Sequence, residues 1–213
     1  MPKFHTLADW LRWQETLHPR EIDLGLERVT AVADRMGVRQ LRAQTITVAG
    51  TNGKGSTIAL LESILLAAGY NVASYTSPHL LRYNERIRIN GRAVDDADLC
   101  KAFETIDSLR KPHSLTYFEF GTLAALSIVQ REQPDFVLLE AGLGGRLDAV
   151  NAVDADIAII TAIGIDHVRW LGADRDTIAM EKAGILRTGK PVVCSDPEPP
   201  KSLRKAAATV GAD

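Results

Sequence analysis

One stretch decides the fold of this chain: Gly50-Thr51-Asn52-Gly53-Lys54-Gly55-Ser56. It stands between a short β-branched run, residues 45–49, and a segment with helical spacing of apolar residues, residues 56–68. A glycine-rich turn between a strand and a helix lets successive backbone N–H groups point at one anion, and the helix N-terminus adds partial positive charge. Lys54 can reach the outer phosphates of a nucleotide. The stretch therefore predicts a phosphate-binding loop that holds ATP.

The spacing within this loop departs from the strict Walker pattern. Gly55 follows Lys54 directly, so the hydroxyl comes one residue later, at Ser56. A tight glycine turn with an exposed lysine is the alternative interpretation. The strand and the helix predicted on either side favour nucleotide binding.

Segments on both sides of the loop predict a doubly wound α/β sheet. Residues 71–75 restart a strand after the loop helix, which closes a βαβ unit with parallel strands and a right-handed crossover. Apolar runs at 135–140, 157–163 and 191–194 suit central strands that are covered on both faces. The predicted fold class is α/β, with a P-loop and a mostly parallel, doubly wound sheet flanked by helices.

Helices and one hairpin complete this prediction. Asn90-Gly91 tolerates the positive φ of a tight turn, so residues 86–94 predict a small antiparallel flap. Gly37 is a helix stop signal, and Asp95 or Asp96 can cap a helix. The predicted helices cover residues 7–17, 24–36, 56–68, 95–109, 117–130 and 177–186, and a last one begins after Pro200.

Composition excludes several classes of protein. The 213 residues are 46% hydrophobic. Because 25 basic residues nearly balance 27 acidic ones, the protein has no large net charge that would attract nucleic acid or a membrane surface. Cys100 and Cys194 have no metal-site spacing and suggest no disulfide framework, which indicates a reducing cytoplasm. The charged N-terminus does not fit a signal peptide, and the most apolar stretch, residues 58–68, is too short to cross a bilayer. We expect a soluble, cytoplasmic protein.

Several polar residues follow predicted strands and so should meet at the carboxyl edge of the sheet. Glu140 ends an apolar run and could hold magnesium, or could serve as a helix cap or ion-pair partner. Ser77-Pro78-His79 and Asp166-His167 follow two other strands. A serine before proline is typical of turns, and a loop histidine is typically solvated or capping.

Three further features have open interpretations. The default interpretation of Lys182 is a solvated lysine on a helix. The stretch at residues 142–146 lacks the third glycine of a dinucleotide fingerprint and is interpreted as a substrate-side loop. A basic segment is either the exposed face of a hairpin or a ligand clamp, and it comprises Arg82, Arg86, Arg88 and Arg92.

Taken together, these blocks resemble the folylpolyglutamate and dihydrofolate synthases of the Mur ligase superfamily. The resemblance spans nearly the whole chain. It rests on the phosphate loop and on residues 23–29, 76–80, 84–86, 116–120, 140–148, 166–167 and 181–185. Several blocks in the right order are far more specific than any one of them.

The resemblance implies roles for individual residues. The phosphate loop would bind ATP, with Lys54, His167 and Lys182 as catalytic residues. Two magnesium ions are implied, with Ser77 and Glu140 holding one and His167 serving the second. Lys182 matches a lysine that carbon dioxide converts to a metal-binding carbamate. The implied pterin or pteroate pocket comprises Leu24, Gly25, Leu26, Thr116, Tyr117, Phe118, Leu147, Asp148 and Ala149.

The implied reaction joins L-glutamate to dihydropteroate or tetrahydrofolate at the expense of ATP, through an acyl phosphate. Family members are about twice as long, so we expect residues 1–213 to be an incomplete N-terminal ATP-binding domain without the C-terminal glutamate-binding domain, and weakly active or inactive alone. At full length we expect a monomer. The alternatives are a non-enzymatic ATP-binding module and a Mur-type ligase of cell-wall precursors or cyanophycin. Residues 24–29 and 116–120 favour folate.

Overall fold

The computed structural model describes residues 3–213 and contains one seven-stranded sheet. Its strands are β1 (Gln44–Ala49), β2 (Val72–Tyr75), β3 (Ile87–Ile89), β4 (Arg92–Ala93), β5 (Phe136–Glu140), β6 (Ile157–Ile160) and β7 (Val192–Cys194). They are ordered β4-β3-β2-β5-β1-β6-β7. The neighbours β2, β5, β1, β6 and β7 pair in parallel. The β3 strand pairs antiparallel with β2 on one side and with β4 on the other. The predicted fold class is confirmed.

The predicted hairpin exists but is not a free flap. Asn90 and Gly91 take positive φ values of 50° and 75°, as the tight turn requires. The first strand of the hairpin pairs with β2 through Ile87 and Tyr75, so the hairpin extends the main sheet. It thereby fixes the residues just before β3 against the loop that follows β2.

Eight α-helices lie among the described residues. They are α1 (Leu7–Leu17), α2 (Glu27–Met36), α3 (Lys54–Ala67), α4 (Asp96–Leu109), α5 (Tyr117–Glu132), α6 (Val168–Leu171), α7 (Arg175–Ala183) and α8 (Lys201–Val210). Sequence patterns predicted all of them except α6. The α2 helix begins three residues later than expected, because Arg28 binds both the carboxylate and the carbonyl of Asp23, at 2.7 and 2.6 Å, and holds residues 23–26 in a loop.

The sheet buries its two faces against different helices. Ile46, Val48 and Leu138 pack against Ile58 of α3 on one face. The alternate residues of the same strands, such as Val137 and Leu139, join the larger core with α4 and α5 on the other face. This period of two follows from the strand pleat. The parallel pairing of β1, β2, β5 and β6 places their carboxyl ends at one edge of the sheet.

The last strand corrects one prediction. The apolar run at residues 191–194 was expected to form a strand covered on both faces. Instead β7 is at the edge of the sheet, and Val193 is 53% exposed. A run of three or four apolar residues reports strand propensity but carries no information on how many neighbours the strand has. Within residues 3–213, no helix combines the length and apolarity needed to span a bilayer.

Candidate functional site

The phosphate loop joins β1 to α3 as a cradle of backbone donors. Gly53 has φ 86° and precedes the first helical residue, Lys54, so a residue with free access to the left-handed region is needed there. The first N–H groups of α3 have no acceptors within the helix and can bind an anion. The Lys54 ammonium donates to the carbonyls of Gly50 and Thr51, at 3.1 and 3.4 Å. It therefore lies over the loop itself.

A second loop, which follows β6, is bonded to the phosphate loop. The Thr51 N–H donates to the Ala162 carbonyl at 2.7 Å, and the Thr51 hydroxyl exchanges hydrogen bonds with the backbone of Gly164 at 3.1 and 3.0 Å. A Cβ added at Gly50 would lie 1.6 Å from Thr161 Oγ1. Only glycine allows this approach, so the two loops form one unit.

Glu140 ends β5 beside the loop that follows β2. Its Oε2 accepts a hydrogen bond from the Ser77 N–H at 3.1 Å, which confirms that these strand ends meet. Burial raises the pKa of Glu140, and the Ser77 N–H and the charge of Lys54 partly offset that rise. A carboxylate, a serine hydroxyl and a phosphate cradle at one edge suit a hard cation such as Mg²⁺.

His79 and Arg86 form a pair on the same side of the site. Arg86 Nε donates to His79 Nδ1 at 2.9 Å, so this loop histidine is not simply solvated. Burial and the guanidinium lower the pKa of His79. Of the basic segment, Arg82 and Arg92 are exposed, as the hairpin-face interpretation expects, whereas Arg86 turns towards the site.

His167 lies after β6 and immediately before α6. It has φ 50°, an uncommon conformation for a residue other than glycine, and its side chain is 52% exposed. Its Nε2 is 3.6 Å from Asp166 Oδ2. Among residues 3–213, no three His, Cys, Asp or Glu side chains converge as a ready metal site. A cation held beside His167 would therefore draw on further oxygen ligands, such as nucleotide phosphates.

Lys182 is buried in α7, contrary to the default interpretation of a solvated lysine. Its exposure is 2%, and no carboxylate among the described residues lies within ion-pair distance of it. Burial and the charge of Lys54 lower its pKa from 10.5 to about 8, with Asp166 partly opposing them. At pH 7 the amine is therefore mostly protonated, but its neutral form is far more populated than that of an ordinary lysine.

A cavity of about 920 Å³ opens beside the phosphate loop. Lys54, Ser77 and His167 line it, whereas Glu140 and Lys182 do not. Its wall also contains eight of the nine residues expected in the pteroate pocket: Leu24, Gly25, Thr116, Tyr117, Phe118, Leu147, Asp148 and Ala149. Leu26, the ninth, packs against the hydrophobic core instead.

Asp148 is one of the acidic residues that line the cavity. It is buried, and its oxygens accept hydrogen bonds from the N–H groups of Leu143 and Val150, at 2.7 and 3.1 Å. Burial nevertheless raises its pKa from 3.8 to about 6, because these hydrogen bonds and Lys54 offset only part of the desolvation. Of the predicted substrate-side loop at 142–146, Gly142 and Leu143 line the cavity, while Arg146 pairs with Glu181 of α7 at 2.8 Å.

Sequence reasoning missed or underrated several residues of this wall. Glu119 accepts the Thr116 N–H at 2.7 Å in a capping box and pairs with Arg28 at 3.1 Å. The spacing of Thr116 and Glu119 is a capping signal that could have been recognised. Gln14 of α1 also lines the cavity, and nothing in its local pattern separates it from a surface residue.

Comparison with known proteins agrees with this geometry. Residues 48–208 match the Mur ligase middle domain. The dihydrofolate synthase/folylpolyglutamate synthase of Escherichia coli K12 is 53% identical over 206 residues, which are 97% of this chain and 49% of that protein. The enzyme of the same name from Bacillus subtilis 168 is 39% identical and covers 82% of this chain and 42% of its own length. The chain thus spans about half the length of the curated relatives it matches.

Solved structures match equally well. FolC of E. coli in complex with DHPP and ADP has a TM-score of 0.96 and 52% identity over 98% of this chain and 50% of that one. A bifunctional folylpolyglutamate synthase/dihydrofolate synthase from Yersinia pestis, complexed with AMPPNP and a Mn ion, has a TM-score of 0.93 and 52% identity over 98% of this chain and 51% of that one. The chain therefore belongs to the dihydrofolate synthase/folylpolyglutamate synthase family of Mur ligases and carries their middle domain.

Proposed function

We propose that the protein is an ATP-dependent ligase that joins L-glutamate to dihydropteroate, to tetrahydrofolate or to both. One observation carries the proposal: a single cavity is lined both by Lys54 of the phosphate loop and by most of the residues expected in the pteroate pocket, Asp148 among them. Relatives that bind ADP or AMPPNP, and in one case DHPP, share this fold at 52% identity. A carboxylic acid seated in the pocket would direct its carboxylate towards the nucleotide.

The proposed reaction has two steps. The substrate carboxylate attacks the γ-phosphorus of ATP, the bond to ADP breaks, and an acyl phosphate forms. The glutamate amine then attacks the activated carbonyl, loses a proton and expels phosphate, which leaves an amide. Lys54 would neutralise charge on the oxygens in transfer, and the α3 N-terminus would hold the phosphates in place.

Magnesium would assist by neutralising phosphate oxygens. We propose that Ser77 and Glu140 hold one ion and that His167 and Lys182 serve a second. The first site is supported by the hydrogen bond of 3.1 Å from the Ser77 N–H to Glu140 Oε2. A relative bound to Mn and AMPPNP supports the use of a divalent ion with the nucleotide.

Lys182 would contribute to the second site as a carbamate. In that reaction the neutral amine attacks carbon dioxide, a C–N bond forms and a proton is released. Burial of Lys182 and its pKa of about 8 support this proposal, because only the uncharged amine reacts. The carbamate forms reversibly in bicarbonate, so it is first alkylated with a trialkyloxonium ion. Mass spectrometry should then detect one carbon dioxide plus the alkyl group on the peptide that contains Lys182.

The deciding experiment measures phosphate release by the protein at its full encoded length. Dihydropteroate and tetrahydrofolate are each supplied with ATP and Mg²⁺, with and without glutamate. We expect release that depends on both the pterin substrate and glutamate. ATP binding without such release would instead indicate a non-enzymatic module, and release only with a cell-wall precursor would indicate another Mur-type substrate.

Two finer expectations stay predictions. One is that further glutamate- and adenine-binding residues lie in a C-terminal domain. The other is that the full-length protein is a monomer in the cytoplasm. Light scattering after size-exclusion chromatography measures the oligomeric state directly.

A further inference from the structure

Arg86 is a cation on the cavity wall without a carboxylate partner. Among residues 3–213 it forms no ion pair, although it is only partly exposed. Two other residues of the basic segment have acidic partners, since Arg82 pairs with Asp96 at 3.2 Å and Arg88 lies 3.8 Å from Glu62, and the fourth, Arg92, is exposed to solvent. Partial burial of a guanidinium without a counterion costs free energy of desolvation, and the attraction of an anionic ligand would offset that cost.

The backbone and the side chain of Arg86 are both held in place. The carbonyl of Arg86 accepts the Thr76 N–H at 2.8 Å, which ties it to the end of β2. Its Nε donates to His79 Nδ1 at 2.9 Å, and the guanidinium lies 5.3 Å from the ring centre of Tyr83 and 5.7 Å from that of Tyr117. The terminal nitrogens, which form the planar fork suited to a carboxylate, make no ion pair in this arrangement.

The neighbouring acid cannot serve as the missing partner. The Glu85 carboxylate accepts hydrogen bonds from the N–H groups of Leu80 and Arg82, both at 2.8 Å, and from Leu81 at 3.1 Å. It is therefore committed to the turn at residues 80–82. The positive charge of Arg86 remains available to a ligand in the cavity.

Lys54 and Arg86 mark two different cationic positions in one cavity. Lys54 Nζ lies 3.1 Å from the Gly50 carbonyl after β1, whereas Arg86 Nε lies 2.9 Å from His79 Nδ1 in the loop after β2. Lys54 belongs to the phosphate loop, so the carboxylate that reacts with ATP must come to its side. A second anionic group of the substrate would then meet Arg86.

We propose, on the basis of the function proposed above, that Arg86 binds the substrate carboxylate that does not react. Dihydropteroate ends in one carboxylate, which is consumed by activation. Tetrahydrofolate ends in a glutamate with two, of which the side-chain carboxylate reacts and the α-carboxylate remains. Arg86 is thus a specificity-determining residue for the folate substrate and contributes little to the use of dihydropteroate.

The test compares two substrates and one truncated substrate, with the protein at its full encoded length. Arg86→Gln should raise KM for tetrahydrofolate about 10- to 100-fold, as expected when a charge-assisted hydrogen-bonded pair is lost. It should change KM for dihydropteroate by no more than about twofold and leave kcat similar. Arg92→Gln, which removes an exposed charge from the same hairpin, should change neither KM by more than about twofold.

The truncated substrate is tetrahydropteroyl-4-aminobutyrate, which keeps the reacting carboxylate and lacks the α-carboxylate. The unmutated enzyme should bind it about 10- to 100-fold more weakly than tetrahydrofolate, and Arg86→Gln should not distinguish the two compounds. This comparison in the unmutated enzyme remains informative even if the variant does not fold.

Four results would overturn the inference. Equal losses with dihydropteroate and tetrahydrofolate would show a general structural role. Continued discrimination of the truncated substrate by the variant would show that another group binds the α-carboxylate. Activity of the unmutated enzyme with dihydropteroate alone would also overturn it, while the ligase proposal would stand. Absence of glutamate-dependent phosphate release with either substrate would overturn both proposals.

Discussion

Replacing Lys182 with methionine removes a buried ammonium from α7. Lys182 is 2% exposed, and burial together with the charge of Lys54 lowers its pKa from 10.5 to about 8. That difference corresponds to roughly 3 kcal/mol against the charged form in the folded state. Methionine has a similar length and no charge. Lys182→Met should therefore raise the free energy of unfolding at pH 7 by about 2 to 3 kcal/mol.

The same pKa values determine how this gain depends on pH. Below pH 8 the amine is protonated in both states, so the full penalty applies to the native protein. Between about pH 8 and 10.5 the unfolded state binds more protons than the folded state, and the stability of the native protein rises with pH. The advantage of Lys182→Met should be largest near neutral pH and should shrink steadily above pH 8.

Urea unfolding followed by circular dichroism at pH 7 and pH 9.5 measures both effects. The buffers are freed of carbon dioxide, so that no carbamate forms. Lys205→Met, an exposed substitution in α8, serves as the control and should change stability by less than about 0.5 kcal/mol. A Lys182→Met protein that is no more stable than the native one at pH 7, or a gain that is equal at both pH values, would refute the reasoning.

Other residues give further predictions. Gly50→Ala should weaken binding of a fluorescent ATP analogue at least about tenfold, because its Cβ would lie 1.6 Å from Thr161 Oγ1 and the loops must separate. Arg28→Met should lower the free energy of unfolding, measured by urea denaturation, by about 2 to 4 kcal/mol. The substitution leaves the Glu119 carboxylate, whose side chain is 5% exposed, without its cationic partner. Affinity for dihydropteroate, measured by fluorescence titration, should fall as the pH falls through about 6, because Asp148 becomes protonated, and Asp148→Asn should remove this dependence.

Local patterns predicted most elements because the physical signal of each one is local. The left-handed Gly37 after α2, the Asp95 cap before α4 and the Asn90-Gly91 turn all act within a few residues of chain. Parallel pairing then predicted that Ser77 and Glu140 would meet, since adjacent parallel strands end at one edge. These parts of the site followed from topology alone.

The remaining features depend on contacts between distant segments. Burial of Lys182 arises from packing of α7, and its own sequence neighbourhood resembles that of any surface helix. Arg86 and Arg82 have similar local patterns, yet one faces the cavity and the other solvent, because the turn before β3 rotates successive side chains. The edge position of β7 and the short α6 helix likewise have no marker within a few residues of their own sequence.

The hydrogen bonds between the phosphate loop and the segment after β6 have a consequence for protein engineering. Thr51 and Gly164 are joined by hydrogen bonds. Gly50 fits beside Thr161 only because glycine has no Cβ, which would lie 1.6 Å from Thr161 Oγ1. Residues 50–56 therefore cannot be transferred to another protein as an independent segment. A chimera that imports this nucleotide-binding turn into another Mur-type scaffold must import residues 161–164 with it, and a mutational library should vary the two segments jointly.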